Sequence, residues 1–505
     1  MAVAAVLLTL AAAPACGRAD HPAANPGPPA PPPAAAPART PTPDLPAVSR
    51  LMNDAVAANR MPGAVVAVGH GGEIVFQRAY GSRRLATEPA LDGAPAPAEP
   101  MTEDTIFDVA SLTKPLATAT AVMQLYEQGK VGLDDPVQRY LPRFNSADDP
   151  QRAEVTVRML LTHTSGIAGD IDLRDPWGLA GADSAEGVRR ALATPLQSVP
   201  GEVFRYSDIN FILLGMLIEE VTGEPEDVYV QRKVFAPLGM EDTRYLPPAK
   251  ACGPHKTRGA AIAWASASAP PAFPACPADA WSTGLLPRIA PTARDEEGRA
   301  QPGSNPDIDY LLRGTVHDPT ARRMGGVAGH AGVFSTALDI GTYAQALLDR
   351  LAGRPSKFPL TQATLQLMTT PQQPGHSAQQ LQAANVAARD ALVATPNSWL
   401  APEYPAIGGQ VLRGLGWDID SGHSRPRGSI FPVGSFGHTG FTGTSVWVDP
   451  GSDTFVILLT NAIHVRGSRP LSDLQGELAT VAAQSLGLYG SAVADTTSPP
   501  GPRPR

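Results

Sequence analysis

A serine and a lysine stand three residues apart in the stretch FDVASLTKPLATAT, at Ser111 and Lys114. On a helix that spacing places both side chains on one face, where they can meet. A serine hydroxyl is a weak nucleophile until a neighbour takes its proton, and a lysine can take it only as the uncharged amine. Val109, Ala110, Leu112, Leu116, Ala117 and Ala119 surround the pair with apolar or small groups. This context predicts a buried lysine at a helix start, its pKa pushed down by desolvation and by the positive end of the helix dipole. Of the six lysines in the chain, this one alone follows a serine at that distance. The bland alternative is a capping serine beside a solvated lysine.

Two later stretches carry groups that could complete the chemistry. In GEVFRYSDINFILLGMLIEEVTG, Tyr206 precedes a helix whose start is marked by Ser207 and Asp208, both good N-caps. A phenol there, aimed at Ser111 and Lys114, could relay a proton to a leaving group; otherwise Tyr206 is a packing residue and Asp208 a plain cap. In FGHTGFTGTSVWVDP, the triplet His438, Thr439, Gly440 leads into a strand. A glycine at that point lets a substrate approach the strand edge, and the N–H of Phe441 could act with that of Ser111 as an oxyanion hole. The alternative is a β-turn with a surface histidine.

The order SLTK, YSD, HTG before a C-terminal strand resembles the β-lactamase-related serine hydrolases, which include class C β-lactamases, D-alanyl-D-alanine peptidases and esterases. LLTHTSGI and GGVAGHAGVFSTALDIGTY extend the resemblance, which covers roughly residues 45–487. It implies that Ser111 is the nucleophile of an acyl-enzyme, Lys114 its proton acceptor and Tyr206 the catalytic tyrosine, with no metal or organic cofactor. It also implies two departures. Asp208 replaces the asparagine of Tyr-x-Asn, and His438 replaces the lysine of Lys-Thr-Gly. In the penicillin-recognising members that lysine helps hold the substrate carboxylate, which a neutral histidine does less well. Asp208, His438, Thr439, Gly440 and Phe441 are therefore the substrate and oxyanion candidates. The expected reaction is hydrolysis of an ester, amide or peptide. The rivals are a penicillin-binding DD-peptidase or β-lactamase, and a non-catalytic envelope binding protein of the same fold.

The elements that must position these residues read as an α+β fold. GAVVAVGHGGEIVFQRAYG predicts a hairpin turning at His70-Gly71-Gly72, and TSVWVDPGSDTFVILLTN a second turning at residues 449–453. Helical patterns lie between them, including residues 112–128 and 209–221. One antiparallel sheet built from both ends of the chain, flanked by helices and with an inserted helical subdomain, accounts for this order. Residues 246–305 and 370–410, poor in periodicity and rich in Ala, Pro, Ser and Gln, read as long surface insertions. His163, His330 and the His317-Asp318 pair read as structural anchors at the cleft margin.

The remaining features bound the setting. A formal net charge of −8 offers no basic field for nucleic acid. Residues 1–16, MAVAAVLLTLAAAPAC, read as an export signal or a lipoprotein leader, with Cys16 the candidate lipidated residue and hence a membrane tether. Residues 17–44 read as a Pro/Ala-rich linker and 488–505 as a disordered tail. The expected location is periplasmic or extracytoplasmic, the expected partner a small-molecule or peptide substrate. In an oxidising compartment Cys252 and Cys276 can close a loop. Two isolated cysteines without a histidine pair do not make a zinc site, and neither a Gly-x-Ser-x-Gly elbow nor a His-Glu-x-x-His motif occurs.

Overall fold

Strand-forming runs from opposite ends of the chain meet in one sheet. The structure, a computed structural model, describes residues 44–263, 276–299, 301–373, 377–394 and 404–490. Its main elements in chain order are α1 (Pro46–Ala57), β1 (Gly63–His70), β2 (Glu73–Arg84), β3 (Glu99–Pro100), α2 (Thr120–Glu127), α3 (Asp208–Thr222), α4 (Ala337–Leu351), α5 (Ala378–Ala394), β4 (Leu412–Arg413), β5 (Asp418–Asp420), β6 (Phe436–Thr439), β7 (Ser445–Asp449), β8 (Thr454–Thr460) and α6 (Ser472–Ser485). The eight strands run β4-β5-β6-β7-β8-β1-β2-β3 across the sheet. The N- and C-terminal hairpins join where β1 lies antiparallel to β8, with Ala64 opposite Thr460 and Ala67 opposite Ile457. Both expected hairpins form.

Alternation along β1 divides the core. Val65 and Ala67 face one hydrophobic cluster, shared with α4 and the helical region around α3. Ala64, Val66 and Val68 face the other, shared with Val48 and Met52 of α1 and Leu474 and Leu478 of α6. A strand buried on both faces needs apolar residues at every position, and GAVVAVG supplies them. Helix α3 is apolar nearly all round because it is buried nearly all round, from Ile209 to Ile218. It starts with Ser207 as N-cap, the hydroxyl accepting from Asn210 N–H, and stops at Gly223 in the left-handed region at φ 71°.

Three sequence expectations are corrected. His438 and Thr439 end strand β6, and the following strand begins five residues beyond Gly440, after a turn. The 370–410 segment contains the 17-residue helix α5, where an irregular insertion was expected, because a run rich in Ala and Gln is a strong helix former even without an apolar stripe. The stretch after Ser111 is not one α-helix: a 3₁₀ turn (Ala110–Leu112) leads into a π-helical segment (Lys114–Ala119) and only then into α2. Pro115 explains part of this, since it has no N–H to close an α-turn. The leader with Cys16, most of the linker and residues 491–505 lie outside the described residues. No helix among the described residues is long and apolar enough to cross a membrane.

Candidate active site

Ser111 sits on a strained turn. Ala110, just before it, is held in the left-handed region at φ 48°, uncommon for a residue with a side chain. Buried Asp108 holds that turn, accepting from Ala110 N–H at 2.9 Å and from His317 N–H at 2.7 Å. Burial pushes its carboxyl up to about 6.

Lys114 has no exposed surface. Its Nζ donates to Ser111 Oγ at 3.0 Å and to the His330 carbonyl at 3.1 Å. The two side chains expected to meet therefore do, with Ser111 at the cleft and the amine behind it. The expected charge state is overturned. Desolvation does push the amine down, but the Asp208 carboxylate lies 2.6 Å away and, with the bonds to it and to Tyr206, holds the lysine above its ordinary pKa. At so short a separation in a poorly solvated site the ion-pair attraction exceeds the desolvation penalty. The resting group is an ammonium. Asp208 is the first residue of α3 and the counter-ion of Lys114. Its other neighbours are Asp170, which hydrogen-bonds with it and is pushed up to about 6 by burial and then by the Asp208 charge, and the pair Asp318–His330, joined at 2.8 Å. Asp208, Asp318 and His330 offer ligand atoms within 4.8 Å of one another, but the cation facing Asp208 is the protein's own lysine.

Tyr206 reaches the same spot. Its phenol hydrogen-bonds with both Lys114 and Ser111; burial raises its pKa, while the ammonium opposes the rise. The ring stacks on His163 at 4.4 Å between centroids. His163, itself at φ 59°, accepts from Ser207 N–H at 3.1 Å and so fixes the chain on either side of Tyr206. This is the loop-holding role expected of it. Asp318 caps the helix Pro319–Arg323, accepting from Ala321 N–H, and bonds His330. Both act as anchors.

The third motif packs against the first. Thr442 Oγ1 donates to the Asp108 carbonyl at 2.8 Å, and Thr444 Oγ1 to the Val109 carbonyl at 3.1 Å. These two bonds clamp the turn bearing Phe441 onto the turn bearing Ser111. Gly440 lies in between, where a Cβ would come within 2.5 Å of the Val109 carbonyl and 2.2 Å of Thr444 Oγ1. The Phe441 N–H meets no acceptor among the described residues. His438 is buried rather than on the surface; its Nδ1 bonds the Thr439 carbonyl at 2.8 Å. Burial, then the charges of Arg413 and Lys114, keep it neutral, its pKa well below the usual histidine range.

Ser111, Tyr206, His438, Thr439, Gly440 and Phe441 thus line one cleft, while Lys114 and Asp208 stand behind it. Arg413, Asp418 and His423, which no sequence motif marks, line it too. Arg413 pairs with Asp418 at 3.0 Å, and the His423 ring lies 5.3 Å from that of Tyr206. They arrive from a part of the chain without a local signature, the sheet edge at β4 and β5. A hydroxyl at a strained turn, an amine and a phenol within hydrogen-bond reach of it, and a free N–H across the cleft together can support acyl transfer.

A model of the β-lactamase family matches residues 48–477. The chain is 28% identical over 415 residues to a protein of Escherichia coli K12 named putative D-alanyl-D-alanine carboxypeptidase, spanning 80% of this chain and 78% of that one. It is 29% identical over 433 residues to the N-acetylmuramyl-L-alanine amidase of Bacillus subtilis 168, spanning 84% and 82%. Among solved structures it shares its fold with a penicillin-binding protein homologue of Caulobacter crescentus (TM-score 0.56, 18% identity, 87% and 97% covered). The simvastatin synthase of Aspergillus terreus has the same fold (TM-score 0.56, 21% identity, 88% and 98% covered).

Proposed function

The chain belongs to the β-lactamase family, as a serine hydrolase, and from that premise we propose that it cleaves an alanyl amide of a cell-wall peptide through an acyl-enzyme on Ser111. The single observation that carries the reading is the buried Lys114 Nζ, 3.0 Å from Ser111 Oγ and 2.6 Å from Asp208. In this scheme Lys114 passes a proton to Asp208 as it receives that of Ser111, so the ammonium becomes a base at the moment of attack. The freed alkoxide attacks the carbonyl, with the Ser111 and Phe441 N–H groups receiving the oxyanion; as the amide C–N bond breaks, Tyr206 gives its proton to the leaving amine and takes one from Lys114, which recovers its own from Asp208. Water then hydrolyses the ester by the same relay. An amide is favoured over a β-lactam because buried, neutral His438 supplies no cation where the penicillin-recognising enzymes carry lysine. The two curated relatives are both named for alanyl amide bonds.

We place the protein outside the cytoplasm. The Cys252–Cys276 disulfide, with its Cα atoms 5.8 Å apart, supports this, as such bridges persist in oxidising compartments.

The test is the intact mass after exposure to a fluorophosphonate, alongside turnover of alanyl-amide peptides. The reading expects one stoichiometric adduct, lost in Ser111→Ala together with turnover. An unlabelled protein, or a Ser111→Ala variant that still turns over, would refute it.

A further inference from the structure

Behind Asp208 stands a second carboxyl that the relay through Ser111, Lys114 and Asp208 does not use. The chain at residues 168–170 is pinned to the start of α3 by two bonds. Ser207 Oγ donates to the Ala168 carbonyl at 2.6 Å, and Asp208 N–H to the Gly169 carbonyl at 2.8 Å. The next residue, Asp170, is exposed to solvent, and its carboxyl hydrogen-bonds with that of Asp208. Two carboxyl groups form such a bond only when one of them carries a proton. Asp208 lies 2.6 Å from the Lys114 ammonium, which favours its charged form, so the proton belongs to Asp170 and Asp208 accepts.

A carboxylate that accepts a hydrogen bond from a neighbouring acid is a weaker base, and one facing a second carboxylate is a stronger base. In the relay Asp208 must take a proton from Lys114 while Lys114 takes that of Ser111. With Asp170 an acid, this transfer is disfavoured. Once Asp170 has lost its proton to solvent, its negative charge, placed against Asp208, draws the lysine proton across. The other ionisable groups facing Asp170 are Asp318 and His330. Burial pushes Asp318 up, but its contact with His330 and the Ala321 N–H outweigh burial and hold it below the usual carboxylate range. Asp170 is the carboxyl of this group left to titrate near 6, raised by burial and then by the Asp208 charge.

We propose that Asp170 is a positioning residue of the nucleophile relay: as an acid it withholds the Asp208 carboxylate from the Lys114 proton, and on ionising it releases that carboxylate. The role rests on the serine-hydrolase reading, with Ser111 activated through Lys114 and Asp208.

The test is the rate at which a fluorophosphonate labels Ser111, followed by intact mass between pH 5 and pH 7.5. Labelling joins Ser111 Oγ to phosphorus and expels fluoride. The Ser111 proton passes to Lys114 and the lysine proton to Asp208, with no leaving amine to protonate. In the wild type the rate should rise roughly tenfold across this range, as for one group titrating near 6. Asp170→Asn keeps a donor to Asp208 that cannot ionise, so its rate should stay at the low acid level throughout. Asp170→Ala removes the donor, so its rate at pH 5 should exceed that of the wild type several-fold and show no rise. Asp170→Glu should restore the rise. A purely structural role makes the alanine variant at least as slow as the asparagine one, and that result overturns the proposal. A flat wild-type profile also overturns it. So does a rise that persists in Asp170→Ala, which points instead to Asp108 beneath Ser111, likewise pushed up to about 6 by burial. Should either variant fail to fold, the other decides with Asp170→Glu: a rise lost in the first and regained in the second supports the role, and any other pattern overturns it. A wild type that is labelled without the expected profile sinks the Asp170 role alone, and an unlabelled one sinks the hydrolase reading as well.

Discussion

Asp208 gives Lys114 a charge that burial alone would remove. With the aspartate 2.6 Å away, Lys114 is held above its ordinary pKa against the pull of desolvation. In Asp208→Asn the carboxylate is gone, desolvation dominates, and the amine pKa falls below its ordinary value. The variant must then lose the lysine proton to become active, so its rate should fall as pH drops through the lysine's own pKa, while the wild type stays active there. A kcat/KM profile on a p-nitrophenyl ester should show the acid limb moved upward by a unit or more. The maximal rate should be reduced by about 100-fold, the lower end of what a positioned proton acceptor contributes. An unchanged profile would mean that Asp208 has no part in the proton chemistry.

Among elements, the decisive contact is between two turns about 330 residues apart in sequence, joined through Thr442, Thr444 and Gly440. Gly440→Ala would drive a methyl group against the Val109 carbonyl, a backbone atom that cannot swing aside. The turn bearing the Phe441 N–H would move away from Ser111. We expect kcat to fall by 100-fold or more, comparable with loss of an oxyanion donor, while stability drops by only about 1–3 kcal/mol, as for overpacking. Steady-state kinetics beside thermal melts would check this; a Gly440→Ala enzyme with near-normal kcat would show that the turn's position is not critical.

Across the molecule, Glu226 ties distant parts together. Thr118 Oγ1 lies 2.7 Å from Glu226 Oε1 and 2.7 Å from the Gly329 carbonyl. The hydroxyl has one proton, and the carbonyl can only accept, so Glu226 must donate and is a carboxylic acid here. Burial pushes it up to about 8 from 4.5. Because the folded state holds the proton more tightly, the stability it contributes is complete below about 4.5 and is lost as pH rises toward 8. Glu226→Gln, which keeps a donor without ionising, should match the wild type near pH 5 and exceed it at pH 8.5 by roughly 3 kcal/mol. Melting temperatures at the two pH values measure the difference; parallel pH dependence in both proteins would exclude Glu226 as the titrating group.

Residue types and short spacings already specified the Ser111–Lys114 pair, the Tyr206 motif, both hairpins and a sheet closed by the two ends of the chain. Those features follow from side-chain periodicity and turn chemistry, which act over a few residues. The charge on Lys114 did not follow, because it depends on Asp208, 94 positions further along the chain, and Coulomb energy is set by distance in space. The helix in residues 378–394 was obscured by its lack of an apolar stripe. Arg413, Asp418 and His423 took on meaning only once β4 to β6 brought them beside Ser111. Tertiary packing alone decides which groups share a desolvated cleft, and with it which of them are charged.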